Sequence, residues 1–194
     1  MSEFRLYYDL GMGHILDING YDHILFIVAL SAIYLIEDWK QVLILVTAFT
    51  LGHSITLALA TLNIIPVNGD LVEFLIPVTI LITAVVNLFV KSGNASRGKL
   101  RLNYFFAAFF GLIHGMGFSN YLRSLLGRDS SILTQLFAFN VGLEVGQIII
   151  VGVFMIAGFL VVTIFGVSQR DWKMVISAAI AGIALTMVQG SIYW

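Results

Sequence analysis

The chain has 194 residues, 59% of them hydrophobic and 11% charged, with a mean hydropathy of +0.97. A soluble domain carries about 25% charged residues, so this composition is that of an integral membrane protein. The net charge of −1, without a basic tail or stripe, excludes a nucleic-acid partner. Cysteine is absent, which excludes disulfides, thiolate ligands and redox dithiols. Any metal site must be built from imidazole, carboxylate, amide, hydroxyl or backbone oxygen.

The first residues lack the charged and then apolar regions of a cleavable signal peptide, so the mature chain is expected to begin near Met1. Residues 4–18 read as a short interfacial or re-entrant helix that breaks at Asn19-Gly20. The first span is placed at 20–36, where the apolar run from His23 is short for a bilayer. Starting it near His14 adds length but brings Asp17, Asn19 and Asp22 to membrane depth. Such backbone is tolerated there only when protein or a water-filled cavity shields it. Further spans are expected at 41–62, 71–90, 103–125, 132–160 and 173–193, with the apolar run of the fifth continuing to Phe165. The reading is therefore an all-α bundle of six transmembrane helices forming a single transmembrane domain. No internal repeat is evident by inspection, so an inverted-repeat architecture is not indicated.

Loop charges give an orientation. Lys40, Lys91, Arg97, Lys99, Arg101, Arg170 and Lys173 fall on one side, and Arg5, Arg123 and Arg128 on the other. The richer side should be cytoplasmic, which leaves both termini outside.

All four histidines, His14, His23, His53 and His114, lie in or beside these apolar stretches. Polar residues at membrane depth are costly and tend to be functional and paired. At about 1.5 Å per residue, Asp22, His23, His53, His114, Asn140 and Glu144 fall roughly 12–18 Å below the outer surface. Agreement in depth between four segments favours one shared site. On the fifth span Asn140, Glu144 and Gln147 form a stripe. Gly142 and Gly146 lie on the other side and suit close helix packing. Thr47, Thr50, His53 and Ser54 share a face of the second span, and Gly111, His114, Gly115 and Phe118 one of the fourth, leaving the backbone beside His114 open. Thr79, Thr83 and Asn87 form a stripe on the third. Glu144 is the hardest to explain without a ligand, because no Lys or Arg lies in any span core to pair it. A metal, a histidine or a proton is its expected partner.

Four blocks resemble the HupE/UreJ family. They are Gly13-His-Ile-Leu with Gly20-Tyr-Asp-His-Ile-Leu-Phe26, Thr47-Ala-Phe-Thr-Leu-Gly-His-Ser-Ile-Thr-Leu57, Phe110-Gly-Leu-Ile-His-Gly-Met-Gly-Phe118 and Phe139-Asn-Val-Gly-Leu-Glu-Val-Gly-Gln147. The resemblance implies a six-span protein of the bacterial inner membrane, described as a nickel permease that accompanies hydrogenase or urease genes. Carried over by motif, the implied metal positions are His14, Asp22, His23, His53, His114, Asn140 and Glu144. The interval from His14 to Asp22 is longer than in the family's signature, which puts His14 either outside the ligand set or on the path leading in. The family's leader is also missing.

The leading expectation is thus a permease for a divalent transition metal, Ni²⁺ or Co²⁺ by resemblance, with Zn²⁺ also compatible because imidazole suits all three. Its partners are the metal ion and the bilayer, with a homo-oligomer and metalloenzyme-maturation proteins left open. The alternative is an intramembrane zinc hydrolase, in which three His and an acid hold Zn²⁺ with an open water position and Ser54 assists.

Overall fold

A computed structural model describes residues 2–90, 97–125 and 132–193, with the side chains of 97–102, 120, 123 and 125 outside the description. The chain is all-α, with no strand among the described residues. Its helices are α1 (Glu3–Ile15), α2 (Asp22–Ser31), α3 (Trp39–Thr61), α4 (Gly69–Phe89), α5 (Arg97–Gly117), α6 (Ser119–Leu125), α7 (Ile132–Phe159) and α8 (Gln169–Gly190). The side chains of Ser2, Asn68 and Ser168 accept backbone N–H groups at the starts of α1, α4 and α8. Between α1 and α2 the chain turns where Asp17 Oδ1 accepts the N–H of Asn19 at 2.8 Å.

Among the described residues, four helical segments are long and apolar enough to cross a membrane: Ile36–Thr61, Gly69–Phe89, Ile132–Ile164 and Gln169–Gly190. The third continues past α7 through a π turn to Ile164, as the long apolar run requires. The segment expected as the first span, 20–36, is helical only over the ten residues of α2, about 15 Å at 1.5 Å per residue. Alone it does not reach across a bilayer. At the N-terminus, where an interfacial or re-entrant helix is expected over 4–18, the chain is helical over the 13 residues of α1 and stops at Ile15. α5 is long enough, but its first turns carry Arg97, Lys99, Arg101 and Asn103.

Contacts fix the direction of each helix. The backbone carbonyl of Tyr8 meets Gly142 and that of Met12 approaches Gly146, so α1 and α7 run parallel. Phe49 meets Gly111 and His53 meets Gly115, so α3 and α5 are parallel too. Gly117 lies against Ile76 and Val72, and His114 against Thr79, which makes α4 antiparallel to α5. α8 is antiparallel to α4, with Lys173 at Val90 and Phe74 at Tyr193. The end of α7 also meets the start of α8, through Phe154 and Trp172. So α1, α4 and α7 point down, and α3, α5 and α8 point up. α2 follows α4, since Asp22 shares a cleft with Glu73 while the Ala29 carbonyl accepts from Asn87 Nδ2 at 2.7 Å. α1 and α2 together form one broken helix descending in the same sense.

The two parallel pairs are built alike. A Cβ on Gly11 would collide with the carbonyl of Phe139, and one on Gly111 with the carbonyl of Phe49. A Cβ on Gly142 would strike the carbonyl of Tyr8 and the N–H of Met12; one on Gly52 would strike those of Ala108 and Leu112. Each contact in α1–α7 thus has its equivalent in α5–α3, in the opposite direction. α4 and α8 match as well, burying Ile80 and Ala84 on one and Ile180 and Ala184 on the other. An inverted repeat, α1–α4 against α5–α8, is therefore present, contrary to the sequence reading. Inspection misses it because α1 and α4 are displaced by 100 residues from their equivalents and α3 by 90, so no single offset aligns the halves. Little more than Gly11-x-x-His14 with Gly111-x-x-His114, and Ala48-Phe-Thr-Leu-Gly52 with Ala138-Phe-Asn-Val-Gly142, carries it in sequence.

Gly142→Ala should cost about 1–3 kcal/mol, because backbone on α1 cannot yield to the added methyl. Gly152→Ala, on the same helix with open space around it, should leave stability unchanged or raised. Thermal unfolding of the detergent-solubilised variants checks this, and equal midpoints for the two would contradict the packing.

Candidate metal centre

The four histidines converge although their helices come from both halves of the repeat. His14 is in the last turn of α1 and His23 in the first turn of α2, on either side of the break. Their ring centroids are 4.6 Å apart. The His53 ring of α3 stands 6.2 Å from His14 and 6.1 Å from His23, and the His114 ring of α5 lies 5.2 Å from His23. Each of His14, His23 and His53 offers a ring nitrogen, all within 4.8 Å of one another. His14, which the sequence spacing set apart, is a full member of this group. His53 and His114 are 0% exposed and His23 5%.

The close approach of α3 and α5 is what delivers the last two rings. Gly111 and Gly115 are filled by α3 backbone at Phe49 and His53, so the backbone beside His114 is sealed rather than open. Phe26, Phe49 and Phe118 pack against the imidazoles, with centroids 4.0 to 6.0 Å away. The aromatic walls are apolar, and one ring nitrogen each of His14, His23 and His53 meets the others between them.

Hydrogen bonds select the tautomers. Asp22 Oδ1 accepts from His23 Nδ1 at 3.0 Å and from the His23 backbone N–H at 2.9 Å. Asp22 therefore orients the imidazole rather than capping α2 and leaves Nε2 as a lone pair. This is the carboxylate–histidine arrangement that commonly supports a metal ligand. Thr79 Oγ1 donates to the Ile76 carbonyl at 2.7 Å and lies 3.1 Å from His114 Nε2. With its proton so committed, Thr79 accepts from Nε2–H, and His114 Nδ1 becomes the free lone pair. The ring nitrogens His14 Nε2, His23 Nε2, His53 Nδ1, His53 Nε2 and His114 Nδ1 are buried with no hydrogen-bond partner. Leaving such a group unsatisfied costs about 1–3 kcal/mol, and rings converging in this way form a donor set that could hold a cation.

Two expected residues stand apart from the rings. Glu144 Oε1 accepts from Thr47 Oγ1 at 2.7 Å, and Thr47 precedes His53 by six residues, about 9 Å along the helix. Gln147 Oε1 accepts from Thr50 Oγ1 at 2.6 Å. Asn140 Nδ2 donates to the Leu136 carbonyl at 2.8 Å, leaving its buried Oδ1 unpartnered. The Thr47–Glu144 and Thr50–Gln147 bonds thus link α3 to α7, whereas the Asn140 bond stays within α7. Of the α4 stripe, Thr79 serves His114, while Thr83 donates to the Thr79 carbonyl and Asn87 to Ala29.

A cleft of about 310 Å³ near the upper end is lined by Asp22, Glu73, Ile76, Pro77, Met187, Gly190 and Ser191. Asp22 thus lines the cleft and also meets the imidazole group through His23. Pro77 has no N–H to give the carbonyl of Glu73, which frees a further oxygen of α4 at this level. Glu73 escaped the sequence reading because it sits at a span edge, where a carboxylate looks like an ordinary solvated charge. Only its alignment with Asp22 gives it meaning.

Asp22→Ala should lower metal affinity about 10- to 100-fold, as loss of an orienting carboxylate does elsewhere, without unfolding the protein. Equilibrium titration with Ni²⁺ checks this; an unchanged affinity would contradict the orienting role.

No curated relative and no solved structure matches the chain. The family model described as HupE / UreJ protein matches residues 1–194, the whole chain. Together with the apolar helices and the imidazole group, this match places the chain in the HupE/UreJ family of membrane proteins.

Proposed function

We propose that the protein is a permease for a divalent transition metal ion, Ni²⁺ or Co²⁺, with the four histidines as its transport site. The observation that carries this reading is the set of orphaned ring nitrogens on His14, His23, His53 and His114. Membership of a family of nickel permeases supports the cargo, and borderline imidazole donors fit Ni²⁺, Co²⁺ and Zn²⁺ alike.

In this reading the chain crosses the bacterial inner membrane six times, as a single transmembrane domain. The broken helix α1–α2 counts as the first pass and α5 with α6 as the fourth. The upper end faces the periplasm, and Lys40, Arg170 and Lys173 stand at the opposite, cytoplasmic end. Lys91 and Arg128 lie outside the described residues, as do the side chains of Arg97, Lys99, Arg101 and Arg123.

The hydrated ion enters the upper cleft, drawn by the carboxylates of Glu73 and Asp22. It then exchanges water for the neutral imidazoles of His14, His23 and His53, with His114 Nδ1 close by. Apolar walls of Phe26, Phe49 and Phe118 favour this dehydration only because several donors replace the water at once. Between α3 and α7, Glu144 with Thr47 and Gln147 with Thr50 offer oxygen ligands and a counter-charge. Polar groups paired between α3 and α7 suit passage better than a closed catalytic pocket. The hydrolase alternative has less support, since Ser54 Oγ donates to the Thr50 carbonyl at 2.6 Å.

In proteoliposomes, His53→Ala and His114→Ala should each reduce Ni²⁺ uptake by about tenfold or more, the usual scale for a disturbed metal site. Glu144→Gln should slow uptake while leaving equilibrium binding nearly intact, because its carboxylate bonds Thr47 and not the rings. Unchanged uptake in both histidine variants would overturn the proposal.

A further inference from the structure

The inverted repeat provides a second cleft, and the contacts that hold it shut. The displacement of 100 residues between α4 and α8 carries Glu73, Ile76 and Pro77 onto Lys173, Ile176 and Ser177. It also carries Met187 and Gly190 onto Asn87 and Val90. The residues that line the upper cleft therefore have equivalents at the lower end of the same two helices.

The two ends are not in the same state. At the upper end Glu73 is exposed and lines the open cleft with Gly190. At the lower end Lys173, the equivalent of Glu73, is only 3% exposed and donates its ammonium to the carbonyl of Val90, the equivalent of Gly190. Asn87 reaches across to the Ala29 carbonyl at 2.7 Å and Gln169 Nε2 to the Ile33 carbonyl at 3.5 Å, tying α2 and its following turn to α4 and α8. Ser177 is 0% exposed, and its hydroxyl has no hydrogen-bond partner. A buried ammonium and a buried orphan hydroxyl are both costly, yet both would be solvated if this end opened as the other has.

We propose that Lys173 is the latch of a lower gate, and that the ion leaves through a cleft between α2, α4 and α8 lined by Asn87 and Ser177. The inference rests on the transport reading above. Release of Val90 by Lys173 opens the lower end, while the approach of Glu73 to Gly190 closes the upper one, each half of the repeat taking the conformation of the other. The sign of the charges gives the gates different characters. A carboxylate at the entrance attracts a divalent cation, whereas the lysine blocks its exit until it swings out.

The chain has no cysteine, so single cysteines report directly. In proteoliposomes without metal, Ser177→Cys should react slowly with a membrane-impermeant maleimide. Adding Lys173→Met should speed that reaction about tenfold or more, the scale of a modest population shift, and slow the labelling of Met187→Cys in the upper cleft. Lys173→Arg should keep Ser177→Cys protected. Equal rates for Ser177→Cys with Lys173 and with Met at that position would overturn the latch. So would a rise in labelling at both positions together, which signals loosening rather than exchange. Because no ion is measured, failure here leaves the transport reading to its own flux test. Loss of that reading would in turn leave the reciprocal labelling in place.

Discussion

Backbone against backbone at glycine is the contact on which everything else in this protein depends. Lipid gives two apolar helices no hydrophobic reason to associate, so packing and close approach must hold them. Gly11 and Gly142 join α1 to α7, and Gly52, Gly111 and Gly115 join α3 to α5. These two pairs carry His14, His53 and His114 between them, and α2, entering after the break, adds His23. Had either pair stood one side-chain layer further apart, the rings would not share a centre. The same contacts repeat in inverted sense, so the device that assembles the site also builds the symmetry.

The break between α1 and α2 is the second essential element. A continuous helix would carry His14 and His23 on one cylinder, nine residues apart and about 13 Å along its axis. The turn through Asp17, Asn19 and Gly20 folds that distance away and brings the rings to 4.6 Å. It also leaves the C-terminal carbonyl end of α1, the negative end of its dipole, beside the cluster. Asp22 then serves two purposes: it fixes the tautomer of His23 and faces the upper cleft.

The histidines were legible in the sequence because each interrupts an apolar stretch, where a polar group needs a reason to be present. Their convergence was legible only as a common depth, since hydropathy says nothing about how helices are arranged around an axis. The role of Gly142 and Gly146 as a packing face could be read from their spacing, but the identity of the neighbour, α1, could not. Around Gly111 and Gly115 the same small residues were taken for open space, whereas α3 occupies it. Glu144 was grouped with the imidazoles because depth was the only coordinate to hand; its bond is to Thr47. The first span was placed at 20–36, where α2 is helical over only ten residues and a turn separates it from α1. Glu73 gave no signal in the sequence, and Lys173 signalled only orientation, as one of the loop charges.

The central claim is that imidazoles, rather than carboxylates or water, hold the transported ion. X-ray absorption at the nickel edge, on purified protein loaded with one equivalent of Ni²⁺, tests this most directly. The account predicts the multiple-scattering pattern of three imidazole ligands, from His14, His23 and His53, weakened by one in His53→Ala. A spectrum of oxygen ligands alone, unchanged by that substitution, would contradict it.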